Sequence, residues 1–133
     1  MNPPVHPEDY DVRANEVRFR VRQWGRRGQP VVLLHGLASS ARTWNLVAPL
    51  LARTYRVYAI DERGHGQSDQ PDDGYDLPTF VSDLTGVLAA CRSPDNPIQN
   101  PIIVGHSWGA HVALAFAVAH PDVPSRLILV DGA

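Results

Sequence analysis

The sequence predicts an α/β fold: a mostly parallel sheet flanked by helices. Three observations carry this expectation. Unbroken apolar runs recur at residues 31–34, 57–60, 102–104 and 127–130, as expected of strands buried on both faces. Stretches with helical spacing separate them. Strand and helix alternate in the order of βα units, whose crossovers lay helices on a parallel sheet. A chain of 133 residues has room for one domain, so residues 1–133 read as a single domain.

In chain order, residues 1–11 are rich in proline and acid and read as an irregular tail. They hold no apolar core of a signal peptide. No run approaches the roughly 20 apolar residues of a transmembrane helix. Val17, Phe19 and Val21 alternate with Arg18, Arg20 and Arg22, which predicts a half-buried strand with an arginine face in water, part of an antiparallel-type hairpin. Gly25 to Pro30 is a turn, and residues 31–34 are the first fully buried strand. Ser39 or Ser40 caps a helix that sets Trp44, Val47, Leu50 and Leu51 on one face. Residues 56–60 form the second buried strand and end in the polar, glycine-rich stretch Asp61 to Asp69. After a loop from Pro71 to Pro78, Phe80, Leu84, Val87, Leu88 and Cys91 predict a helix over 79–90. Residues 93–101 hold three prolines and two asparagines and read as a surface connection. Residues 102–104 are the third strand, 109–120 an alanine-rich helix stopped by Pro121, and 127–130 the fourth strand.

Composition narrows the function classes. The chain is 44% apolar and 20% charged, the balance of a soluble globular protein. Its 12 basic residues are all arginine and face 14 acids, for a net charge of -2. No global field draws it to nucleic acid or an anionic membrane. The lack of lysine excludes a Walker-A lysine, a Schiff base and a Ser-Lys dyad. Half of the arginines lie between Arg13 and Arg27, but no aromatics interleave the exposed positions, as a nucleic-acid surface would need. Cys91 is the only cysteine. It reads as a small core residue in a reducing, cytoplasmic compartment. Six histidines show neither H-x-x-x-H nor C-x-x-C spacing, so no metal is expected. Gly64 and Gly66 invite comparison with a dinucleotide fingerprint, but its third glycine position holds Asp69; no cofactor is expected.

The chemistry concentrates at Gly105-His106-Ser107-Trp108-Gly109, a G-x-S-x-G between a buried strand and a helix. That context predicts a strained turn lifting the Ser107 Oγ above the sheet edge. A side chain at Gly105 or Gly109 would collide with neighbouring backbone. The turn also frees the Trp108 amide at a helix N-terminus, where negative charge is favoured.

Three stretches in order, His35-Gly36-Leu37, the D-x-R-G-x-G-x-S pattern of Asp61 to Ser68, and this elbow, resemble the α/β-hydrolase family. The resemblance runs from about Ala14 to Gly132. It implies the N-terminal part of that fold, closest to the esterase, C–C hydrolase and perhydrolase branch. Members with an aspartate nucleophile, the epoxide hydrolases and haloalkane dehalogenases, fit less well because the elbow carries Ser107. By resemblance, Ser107 is the nucleophile, and the amides of Leu37 and Trp108 form the oxyanion hole. The side chains of Leu37 and Trp108 would line an acyl pocket. His35 would be structural, buried under the oxyanion loop. His65 would organise its own loop, and His106 would point away from Ser107. His111, four residues past Ser107, could reach it by a hydrogen bond.

The family's acid and histidine follow the nucleophile in sequence. Asp131 is a weak candidate for the acid, and no histidine follows it. The chain therefore reads as an N-terminal fragment of a serine hydrolase acting on small ester or related acyl substrates, inactive alone. The alternative is a truncated paralogue that binds small molecules without catalysis. Its last strand would be an open apolar edge, a template for self-association.

Overall fold

In the computed structural model, which describes residues 5–91 and 98–131, the apolar runs become strands of one sheet. They are β1 (Pro7–Ala14), β2 (Val17–Trp24), β3 (Pro30–Leu34), β4 (Arg56–Ile60), β5 (Ile102–His106) and β6 (Arg126–Val130). The spatial order is β1-β2-β4-β3-β5-β6. The contacts β4-β3-β5-β6 are parallel, while β1-β2 and β2-β4 are antiparallel. The expected α/β fold with a mostly parallel sheet is therefore present.

Every residue of β3 and β4 is buried, and successive side chains feed opposite cores. Val32, Leu34, Tyr58, Ile60 and Ile103 pack under α2 (Leu77–Cys91) and α3 (Trp108–Ala119). Val31, Leu33, Val57 and Ala59 pack on the other face against Ala41, Trp44 and Ala48. Both faces are covered; the helical elements on the second, among the described residues, are a 3₁₀ turn (Ala41–Trp44) and the one-turn α1 (Ala48–Leu51).

Two expectations need correction. Residues 7–11 are not an irregular tail. They belong to β1, which pairs along its whole length with β2. The acids that suggested a solvated tail are the cross-strand partners of the arginine face: Asp9 binds Arg22 through both oxygens at 2.7 Å, and Asp11 binds Arg18 and Arg20. These pairs hold the Asp9 and Asp11 carboxyls below the usual range, chiefly through Arg22 and Arg20. The hairpin turns at Asn15 and Glu16, both at positive φ, and Asn15 is held by bonds from its amide to Ser82 and Asp83.

Nor is there one helix after Ser40. Pro49 lacks an N–H and would clash with the Asn45 carbonyl in a continuous helix. The segment therefore breaks into the 3₁₀ turn and α1, which has a proline in its first turn. Trp44 is buried, whereas Val47 and Leu50 are exposed. Ser40, rather than Ser39, caps the turn by accepting the Arg42 N–H. Of the expected surface connection at 93–101, residues 93–97 lie outside the described residues.

Candidate active site

The parallel strands end together at one edge, where three loops meet. The first follows β3. His35 is fully buried, and its Nε2 accepts the Glu62 N–H at 3.0 Å. A ring nitrogen that accepts has a free lone pair, so the imidazole is neutral and its proton sits on Nδ1. That Nδ1–H donates to the Gly36 carbonyl at 2.7 Å. Burial pushes the His35 pKa down to about 4, in keeping with the neutral ring. The Gly36–Leu37 peptide is planar and trans. With its carbonyl tied inward to His35, the Leu37 N–H points the opposite way, out of the core. A Ser39 N–H to Gly36 carbonyl bond closes the turn, with Ala38 at φ 60°.

The second loop follows β4 and accounts for D-x-R-G-x-G-x-S residue by residue. Asp61 accepts the N–H groups of Ala41 at 2.7 Å and Gln67 at 2.8 Å, tying this loop to the start of the 3₁₀ turn. The Ser68 hydroxyl donates to the Asp61 carbonyl and accepts the Arg20 N–H. Arg63 and Asp83 form a buried two-bond pair at 2.9 and 3.0 Å that anchors the loop to α2. His65 Nδ1 bonds the Arg63 carbonyl at 2.8 Å, the organising role read from the sequence. The motif is thus a brace for the strand ends.

The third loop is the elbow. Ser107 has φ 55° and ψ -116°, a region that costs a non-glycine residue about 1–3 kcal/mol. A β-carbon on Gly105 would sit inside the Gly109 carbonyl, and one on Gly109 inside the Leu34 carbonyl. Both glycines are there for close approach between β5, α3 and β3. The Ser107 N–H donates to the Val130 carbonyl at 3.0 Å, and its own carbonyl accepts from Ala110 and His111. Its side chain caps nothing in α3. Trp108 opens α3, so its N–H has no acceptor within the helix; among the described residues neither it nor the Leu37 N–H enters a turn bond.

The first and third loops touch. A β-carbon built on Gly36 would lie 3.2 Å from Ser107 Cβ. The structure thus brings the Leu37 loop, Ser107 and Trp108 to one place. This arrangement, a serine on a strained strand-to-helix elbow beside a His-Gly loop, can be compared with known proteins. Residues 31–133 match the model of the "Alpha/beta hydrolase family". The chain belongs to the α/β-hydrolase family.

Among curated relatives of this α/β hydrolase, epoxide hydrolase A of Mycobacterium tuberculosis is 38% identical over 120 residues, covering 87% of this chain and 36% of the relative. A non-heme chloroperoxidase of Streptomyces lividans is 38% identical over 113 residues, covering 83% and 39%. Among solved structures, a bacterial membrane phospholipase A superposes with a TM-score of 0.88 at 26% identity, covering 96% of this chain and 40% of that one. A Pseudomonas putida deformylase gives 0.83 at 34% identity, covering 94% and 47%. The chain spans about two fifths of the curated relatives' length.

The remaining expected residues sit variously in the fold. The Leu37 side chain is mostly exposed, and the Trp108 indole packs edge-on against Phe80 at 5.4 Å with its Nε1 buried and unpartnered. His111 is exposed, its ring beside Trp108; no hydrogen bond among the described residues joins it to the Ser107 hydroxyl. His106 turns Nδ1 to within 3.5 Å of the same built β-carbon on Gly36. Asp131, at positive φ, is exposed just past the carbonyl that holds Ser107. Cys91 is half-buried, and burial pushes its thiol to about 11.

Sequence reasoning missed Glu62. It is almost fully buried, and neither carboxyl oxygen has a hydrogen-bond partner. Oε2 lies 3.3 Å from His35 Nδ1. The His35 ring is neutral, so this is not an ion pair: Nδ1 spends its proton on Gly36. Burial, aided by Asp83, holds the Glu62 carboxyl well above its ordinary value. The only sequence signal was an acid inside a structural motif.

Proposed function

We propose that this α/β hydrolase is the N-terminal part of a serine hydrolase acting on small ester or related acyl substrates. The observation that carries the proposal is Ser107 held at φ 55° between β5 and α3, its neighbour's N–H and the outward Leu37 N–H both outside any turn bond. Ser107 Oγ attacks the acyl carbonyl, forming the C–O bond and placing charge on the carbonyl oxygen. The Leu37 and Trp108 N–H groups donate to that oxygen and stabilise its charge; one such donor is worth on the order of 3 kcal/mol where it has been removed. The tetrahedral intermediate expels the leaving group, and water then releases the acyl group.

A serine hydroxyl needs a general base. In this proposal a histidine outside residues 1–133 supplies it, which makes the chain alone inactive. The similar proteins of known structure include a phospholipase and a deformylase, which supports acyl chemistry. The epoxide hydrolases share the family, but Ser107 at the elbow favours the serine route. We place the protein in the cytoplasm on the strength of its single thiol; among the described residues no helix is long and apolar enough to cross a membrane.

The test is hydrolysis of p-nitrophenyl esters by a longer polypeptide carrying this chain, with and without Ser107→Ala. Loss of turnover in the variant is expected. Equal rates would refute the assignment.

A further inference from the structure

One hydrogen atom at this site has two suitors. The His35 Nδ1–H lies 2.7 Å from the Gly36 carbonyl and 3.3 Å from Glu62 Oε2. Its choice decides whether the Gly36 carbonyl keeps two donors or only the Ser39 N–H at 3.2 Å, and so how firmly the Gly36–Leu37 peptide is set, because that carbonyl and the Leu37 N–H share one rigid plane and point in opposite directions. As a neutral acid, Glu62 is a weak acceptor and the carbonyl wins at the shorter distance. As a carboxylate it would form a charge-assisted bond, roughly twice as strong as one between neutral groups, and draw the proton donor away from Gly36.

We propose that Glu62 is a positioning residue of the active site: its protonated form leaves His35 free to hold the Gly36 carbonyl, and so keeps the Leu37 N–H aimed outward beside Ser107. Glu62 is 5% exposed and lines a small pocket with Phe19, Leu34, Phe80, Arg63 and Asp83, so little solvent reaches it. The charged groups around it are already engaged. Arg63 and Asp83 from α2 bind each other. Asp61 spends both oxygens on Ala41 and Gln67. His65 lies with its ring 5.0 Å from that of His35. None supplies a counter-charge that would hold Glu62 ionised, in line with the burial-driven rise of its pKa. The site consequence rests on the serine-hydrolase proposal above; the hydrogen-bond exchange does not.

The test is heteronuclear NMR of the 133-residue chain, following the His35 ring nitrogens and the Leu37 amide against pH. In the wild type the Leu37 amide and His35 Nδ1 shift together, with one midpoint well above the ordinary glutamate value. Glu62→Gln, isosteric with the neutral acid, holds both resonances flat over that range at the low-pH wild-type position. Glu62→Leu, with no acceptor, is flat as well and guards against one variant failing to fold. A Leu37 amide that stays still in the wild type, or that titrates alike in the variants, overturns the proposal. Ser107→Ala leaves the titration intact, so failure of the hydrolase assignment would show separately as unchanged ester turnover when that substitution is made in the longer polypeptide.

Discussion

Replacing Glu62 by glutamine tests whether two buried groups in contact are both neutral. In the unfolded chain Glu62 titrates near 4.5 and His35 near 6.5. In the fold His35 falls to about 4 and Glu62 rises well above its ordinary value, burial being the main cause of each. The two shifts act in opposite senses. From about 4 to 6.5 the unfolded state holds the extra proton on His35, so stability rises with pH by about 1.4 kcal/mol per unit. From 4.5 up to its folded value, the native state holds the extra proton on Glu62, so stability falls at the same rate. Where the windows overlap the slopes cancel: folding there moves a proton from histidine to glutamate with no net uptake. Glu62→Gln removes the falling slope alone. Its stability therefore climbs by about 1.4 kcal/mol per pH unit between 4.5 and 6.5, while the wild type is flat over the part of that window below the folded value of Glu62. Urea unfolding followed by circular dichroism at half-unit pH steps measures both curves. Parallel curves would mean that Glu62 titrates alike in the folded and unfolded chain, so that it is ionised in the fold above its ordinary value and the neutral-acid reading fails.

Other perturbations follow from the same geometry. Ser107→Gly removes the positive-φ penalty and should stabilise the fold by about 1 kcal/mol while abolishing any chemistry of the hydroxyl, as read from thermal melts beside ester turnover. Gly109→Ala drives a methyl group into the Leu34 carbonyl and should cost about 1–3 kcal/mol or prevent folding, a loss that Gly→Ala in an open helix position would not give. Asp61→Ala strips acceptors from the Ala41 and Gln67 N–H groups. It should destabilise by about 1.5–3 kcal/mol per lost charged bond, with faster amide exchange at those two residues; unchanged exchange would remove Asp61 from the brace. The outer edge of β6, with Ile128, Leu129 and Val130 exposed, should pair between copies. Size exclusion should show association that weakens on Leu129→Lys, and a concentration-independent monomer would count against it.

Burial on both faces made β3, β4 and β5 legible, since it writes a continuous apolar run. The elbow was legible because close backbone approach and a positive-φ serine leave glycines at fixed places. β1 was not, because its alternation is of acid with Tyr10, Val12 and Ala14, and the acids find their meaning only across the ladder, against Arg18, Arg20 and Arg22. The break at Pro49 was in plain view, but the apolar spacing around it suggested one continuous helix. Glu62 was hidden for a different reason. Its neighbours Asp61, Arg63 and Ser68 are polar residues satisfied by bonds of the brace, and only the fold reveals that the acid between them has no such bond and lies against His35.

The central claim, a serine presented beside two unengaged amides, is tested most directly by trapping. A longer polypeptide carrying this chain is treated with a fluorophosphonate, and the adduct is crystallised. The phosphonyl group should be bonded to Ser107 Oγ, with one of its oxygens about 2.7–3.1 Å from both the Leu37 and Trp108 nitrogens. A phosphonate attached to another residue, or one bound to Ser107 whose oxygens meet neither N–H, would contradict it.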